Sequence, residues 1–207
     1  MLLYAHLKQI KWVICYMNKF SIVACLVILL SCSNNKNPHI QITTNFGNIE
    51  AELYPDKAPK TVAAFLSYVD SGLYKNSSFY RVLLEEGMAT KDNSGLIQGG
   101  IWQTNNKKAI GIPGIVHESP AQTGLSHTTG TLSLARTTAG SASTEFFICI
   151  GDKTEFDSSK EVNPDGLGFA AFGRVVSGMK IVRAIQNEPA NGESFSKPIV
   201  ILNIERL

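Results

Sequence analysis

The chain has 207 residues, 44% of them hydrophobic and 17% charged, with a formal charge of +2. That length suits one domain with an appendage, and a near-neutral balance without a block of five or more like charges excludes a dedicated nucleic-acid binder. The aromatic residues and scattered apolar runs exclude a disordered chain.

Residues 1–31 carry Lys8, Lys11 and Lys19 and no acid, and an apolar run of about ten residues extends from Ser21 to Leu30. Such a run is roughly half of the ~20 residues that a membrane-spanning helix needs. A basic stretch, a short apolar region and a small residue before Cys32 are the parts of a secretory signal, and Leu29-Leu30-Ser31-Cys32 resembles a bacterial lipobox. Met17, followed by Asn18 and Lys19, would open a compact signal by itself. An uncleaved anchor extended through Trp12–Cys15 would place Lys19 near its middle, at a cost of about 2.5–3.5 kcal/mol. The expectation is therefore a signal over 1–31, lipidation of Cys32, a short tether over 32–38 and a folded domain over 39–207. Removing residues 1–31 with their three lysines turns the net charge from +2 to −1. The expected location is the bacterial cell envelope, with a lipid anchor holding the domain toward the periplasm; Ser33 after Cys32 is compatible with the outer membrane. Of four cysteines, only Cys149 stays unmodified in the domain, so no disulfide framework is expected.

Beyond the tether, Ile40 and Ile42, then Ile49, Ala51 and Leu53, alternate with polar residues across Asn45-Phe46-Gly47-Asn48, which predicts a hairpin. A helix of about three turns follows from Pro59. Val62, Phe65, Leu66 and Val69 mark one face, and Gly72 supplies a stop. Strands are predicted over Phe79–Leu84, Leu96–Gln98, Thr131–Ala135, Phe146–Ile150 and Phe169–Val176, then a short helix over Met179–Ile185, and a last strand over Ile199–Ile204 starting at Pro198. Strands at this spacing, with two helices among them, predict a mainly β fold: a closed antiparallel β-barrel of about eight strands capped by two α-helices.

Common catalytic motifs are absent. His117-Glu118 begins like HExxH, but the next His is His127 and Pro120 would break the helix, so no metal site is expected. Gln98-Gly99-Gly100 lacks the spacing of a phosphate loop, and Ser141 and Ser143 lack a GxSxG elbow. His127 reads as a hydrogen-bonding loop residue.

Five short blocks carry more information: Phe79-Tyr80-Arg81-Val82, Leu96-Ile97-Gln98-Gly99-Gly100, Ser133-Leu134-Ala135-Arg136, Phe146-Phe147-Ile148 and Ala171-Phe172-Gly173-Arg174-Val175. In this order they resemble the cyclophilin-type peptidyl-prolyl isomerases from about Ile40 to Leu207. The resemblance implies rotation of Xaa-Pro bonds in exported, proline-containing polypeptides, without a cofactor and by a monomer. It places the catalytic arginine at Arg81, the glutamine near the substrate backbone at Gln98, and backbone pairing at Ala135 and Arg136. Leu96, Phe146, Phe147, Phe156 and Phe169 fall in the substrate groove. Gly95 stands where a Phe is common, which would open one wall; Asp157 replaces an apolar residue, with Leu167 as a possible substitute. The alternative from another class is a non-catalytic module that holds peptides as a chaperone.

Overall fold

The computed structural model describes residues 37–85 and 94–207. The signal segment, Cys32, most of the tether and most of the 84–95 loop lie outside the described residues.

The elements are β1 (His39–Thr44), β2 (Gly47–Leu53), α1 (Pro59–Asp70), β3 (Ser77–Leu84), β4 (Gly95–Gly100), α2 (Asn106–Gly111), α3 (Pro120–Thr123), β5 (Thr131–Leu134), β6 (Phe146–Ile150), α4 (Glu155–Ser158), β7 (Ala170–Ser177), α5 (Met179–Gln186), β8 (Ala190–Asn191) and β9 (Ser194–Arg206). Hydrogen bonding runs in the order β1-β2-β7-β5-β6-β4-β3-β9, and antiparallel pairing of β9 with β1 closes the barrel. The two-residue β8 is a ribbon appended to β9. The eight-stranded antiparallel barrel is thus the expected fold, with three short helices of four to six residues that carry too little periodicity to be read from sequence.

The predicted hairpin forms with Ile42 opposite Ile49 and Ile40 opposite Ala51, all buried. α1 buries Val62, Phe65, Leu66 and Val69 as its periodicity requires. Phe65 anchors the core, its ring 4.9 Å from Phe172, 5.2 Å from Tyr74 and 5.6 Å from Phe146. α1 has no side-chain cap of its own at Ala58. Glu118, from a distant loop, accepts instead from the N–H groups of Lys60 (3.1 Å) and Thr61 (2.8 Å) and from the Thr61 hydroxyl (2.8 Å). A carboxylate there satisfies unpaired donors and complements the helix dipole. α5 buries Val182 and Ile185 and packs on β2, β4 and β6.

Two strands depart from a simple pleat. β9 begins well before Pro198. Its register with β3 jumps from Ile199 opposite Phe79 to Ser194 opposite Arg81, and Pro198, which has no N–H to give, lies within that bulge. The same irregularity in β3 falls at Tyr80, because Phe79 faces Gly99 and Arg81 faces Gln98 on β4. Phe79 and Val82 both enter the core. A strict alternation could not place both there, so the extra residue leaves Tyr80 and Arg81 together outside the barrel.

Glu118→Ala is expected to cost about 1–2 kcal/mol, the range for losing a helix cap. The check is a urea unfolding curve, with a lower midpoint and an unchanged slope.

Candidate active site

β6 is buried on both faces. Phe146, Ile148 and Ile150 point into the barrel core, while Phe147 and Cys149 join Leu96 in a second apolar cluster outside it. A groove of about 480 Å³ lies over this second cluster. Its apolar half is Leu83, Leu96, Ala135, Phe147, Phe156 and Phe169; its polar half includes Arg81, Gln98 and Glu145.

The three aromatic rings interlock edge to face. Phe147 lies 5.8 Å from Phe156 at 84° and 5.3 Å from Phe169 at 85°, and Phe156 lies 5.4 Å from Phe169 at 73°. Such pairs are each worth about 0.5–1.5 kcal/mol beyond their burial, so the cup is rigid. His127 supports it from beneath. Fully buried, its imidazole stacks on Phe147 at 5.9 Å and 18°. Its Nδ1 lies 2.6 Å from Asp157 Oδ1, and its Nε2 lies 2.9 Å from the Ser133 hydroxyl. Asp157 also accepts from the His127 N–H (2.9 Å) and the Ser126 hydroxyl (2.5 Å).

Arg136 ties down the loop that carries Phe169. Its Nε and Nη2 donate to the Gly168 carbonyl at 2.8 and 2.6 Å, and its Nη1 and Nη2 donate to the two Asp165 oxygens at 2.6 and 2.8 Å. The guanidinium carbon sits 5.7 Å from the Phe169 ring centre, a cation–π contact. Hydrogen bonding from Arg136 holds the Asp165 carboxyl below its usual range. Four of the five Arg136 N–H donors are thereby engaged within the chain.

On the polar side, Arg81 Nε and Nη2 donate to Glu193 Oε2 at 2.9 and 2.6 Å, and Nη1 donates to Gln98 Oε1 at 3.0 Å. A guanidinium has five N–H donors. Three are engaged here, which leaves one on each terminal nitrogen.

Leu96, Gln98, Ala135, Arg136, Phe147, Phe156 and Phe169 line one groove together with Arg81. Phe146 does not. Its ring packs among Phe65, Tyr74 and Phe79 inside the barrel, because it neighbours Phe147 on a strand and must take the opposite face. Leu167 is also misplaced by the sequence reading: it is 43% exposed, and Val162 lines the groove instead. Gly95 opens no wall. A Cβ there would stand 1.8 Å from the Leu83 carbonyl oxygen, and φ is +146°, so the strand contact itself requires glycine. Sequence reasoning did not connect Tyr80, His127 and Glu145 with the groove, and it put Asp157 at an apolar pocket position, whereas its carboxylate pairs with His127 across 30 residues. Burial pushes the Cys149 thiol up to about 12, which suits a packing residue and not a nucleophile.

Burial holds the His127 imidazole below its ordinary pKa, against the opposing pull of Asp157. The unfolded chain therefore takes up this proton first as the solution is acidified. Stability is full above about pH 6.5 and is lost as pH falls from there toward the folded-state value. Urea midpoints from pH 7.5 down to 5.5 should show this slope in the wild type, and His127→Gln should flatten it; an identical slope in both would refute the assignment.

The family model described as "Cyclophilin type peptidyl-prolyl cis-trans isomerase/CLD" matches residues 39–206. The chain is 34% identical to a peptidyl-prolyl cis-trans isomerase of Acinetobacter baylyi, over 86% of this chain and 90% of the relative. It is 36% identical to peptidyl-prolyl cis-trans isomerase A of Dickeya dadantii, over 79% and 81% of the two chains. Among solved structures, a cyclophilin-type isomerase of Cryptosporidium parvum superposes with a TM-score of 0.63 at 21% identity, covering 83% of this chain and 98% of its own. The same kind of protein, solved in the presence of the dipeptide Ala-Pro, gives a TM-score of 0.62 at 22% identity, over 81% and 97% of the two chains. The chain belongs to the cyclophilin-type peptidyl-prolyl cis-trans isomerases and is an enzyme that accelerates rotation about Xaa-Pro peptide bonds.

Proposed function

We propose that the groove holds the proline of a polypeptide with its ring in the Leu96–Phe147–Phe156–Phe169 cup, and that Arg81 is the catalytic donor. The observation that carries this reading is the shared groove: one guanidinium with two uncommitted N–H groups borders a rigid apolar cup. The Ala-Pro dipeptide named with the Cryptosporidium structure supports a proline-containing ligand.

The chemistry needs no covalent step. Rotation of a peptide bond costs about 18–20 kcal/mol because amide resonance is lost, and an Xaa-Pro bond left alone takes tens of seconds. As the bond twists, the prolyl nitrogen becomes pyramidal and regains a lone pair. A hydrogen bond donated to that lone pair stabilises the twisted state more than either planar state, and only such differential binding accelerates rotation. Arg81 suits the role because arginine stays charged at every relevant pH and presents a planar fork. Holding the ring in the cup while Gln98 and the backbone at Ala135 and Arg136 hold the flanking peptide lets one side of the bond turn against a fixed other side.

The proposal extends to the cell. The chain is exported, acylated at Cys32 and held at the bacterial envelope facing the periplasm, in the outer membrane, where it acts as a monomer on exported proteins. The basic segment, the short apolar run and the Leu29–Cys32 box support this. No helix among the described residues is long and apolar enough to cross a membrane.

Arg81→Ala is expected to lower kcat/KM for a short Xaa-Pro peptide roughly a hundredfold, the effect of losing about 3 kcal/mol of positioned hydrogen bonding. Arg81→Lys should lose most of the same rate. Wild-type catalysis by Arg81→Ala would remove Arg81 from its role. Mass spectrometry of protein extracted from membranes should find an acylated Cys32 as the first residue, and an intact residue 1–31 segment would sink the anchor.

A further inference from the structure

Glu145 is an unusual residue to find beside the groove, since it is an acid immediately before the core residue Phe146. Its carboxylate is built in. Oε1 accepts from the N–H groups of Ile101 (2.9 Å) and Trp102 (3.0 Å) and from the Thr144 hydroxyl (3.0 Å). Oε2 accepts from the Tyr80 hydroxyl at 2.7 Å. The space exists because residue 100 is glycine: a Cβ there would come within 2.4 Å of Oε1.

This arrangement has a direction. An ionised carboxylate only accepts hydrogen bonds, whereas a phenol has a single proton to donate. Tyr80 therefore donates its one O–H hydrogen bond to Glu145, and its oxygen is left as an acceptor. That oxygen accepts from Gln98 Nε2 at 2.9 Å. An amide carries its donor and acceptor at opposite ends, so the Gln98 oxygen is turned toward Arg81, where it accepts from Nη1 at 3.0 Å. With the amide reversed, its NH₂ would meet the guanidinium donor to donor.

We propose that Tyr80 and Glu145 are positioning residues for catalysis. Together they set the polarity of the Gln98 amide, and Gln98 in turn holds one arm of the Arg81 guanidinium over the groove. The proposal rests on Arg81 as the donor to the prolyl nitrogen. The bulge at Tyr80 makes the relay possible, because a regular strand would send two consecutive side chains to opposite faces.

The test is Tyr80→Phe, which removes one oxygen and keeps the ring, with kcat and KM measured separately on an Xaa-Pro peptide below the unfolding transition. The expected result is a fall in kcat of about tenfold, the upper effect of one hydrogen bond, with KM within about twofold of wild type. Combined with Arg81→Ala, Tyr80→Phe should cost nothing further, because its effect runs through Arg81. A wild-type kcat in Tyr80→Phe, a change confined to KM, or a double variant that loses the product of the two single effects would overturn the relay. Wild-type activity in Arg81→Ala alone would instead remove the donor reading, and the relay with it. Glu145→Gln provides a second variant: its side chain can donate as well as accept, so kcat should again fall, and an unchanged value overturns the role of Glu145.

Discussion

Successive side chains of a β-strand point to opposite faces, and on β6 that alternation divides the molecule into a core and a groove. Phe146, Ile148 and Ile150 complete the barrel interior, while Phe147 and Cys149 face a second apolar cluster outside it, from which Phe147 lines the groove. A one-residue slip of β6 against β4 or β5 would exchange the two sets and destroy both. The register of Gln98 opposite Phe147 and Ser133 opposite Phe147 is therefore what the site depends on. It brings a polar side chain of β4 beside the aromatic floor and places the β5 hydroxyl that meets His127 next to the same strand.

Around this wall the chain uses polar contacts to hold apolar groups still. Arg136 spends its guanidinium on Gly168 and Asp165 and so fixes the approach to Phe169. Asp157 and Ser133 grip opposite nitrogens of His127, whose ring backs Phe147. Burying charged and polar groups costs free energy unless their hydrogen bonds are satisfied, and here the main ones are. The return is a cup whose rings are packed against one another before a peptide arrives, which favours spending less of the binding free energy on ordering the protein.

The elements readable from sequence are those whose local pattern and burial agree. The β1–β2 hairpin has isoleucines in strict alternation, and α1 has an apolar stripe between Pro59 and Gly72; both lie where expected. β9 was legible only in its second half, since Pro198 normally ends or begins a strand and here occupies a bulge. The site was legible to the extent that residue blocks in family order carry it. Arg81, Gln98 and Phe147, which line the groove, stand in such blocks, whereas Phe146 was carried along by its neighbour although the pleat sends it inward.

The amino-acid sequence by itself determined the barrel's alternating strands, the two longer helices, the family and the identity of the cationic and aromatic groove residues, because these depend on local periodicity and short motifs. Tertiary structure decided what those residues touch. Glu118 caps a helix 57 residues away, Asp157 meets His127 across 30, and Tyr80 meets Glu145 across 65. Such contacts arise from strand register and from one inserted residue in β3, and neither is encoded in a window short enough to show a period.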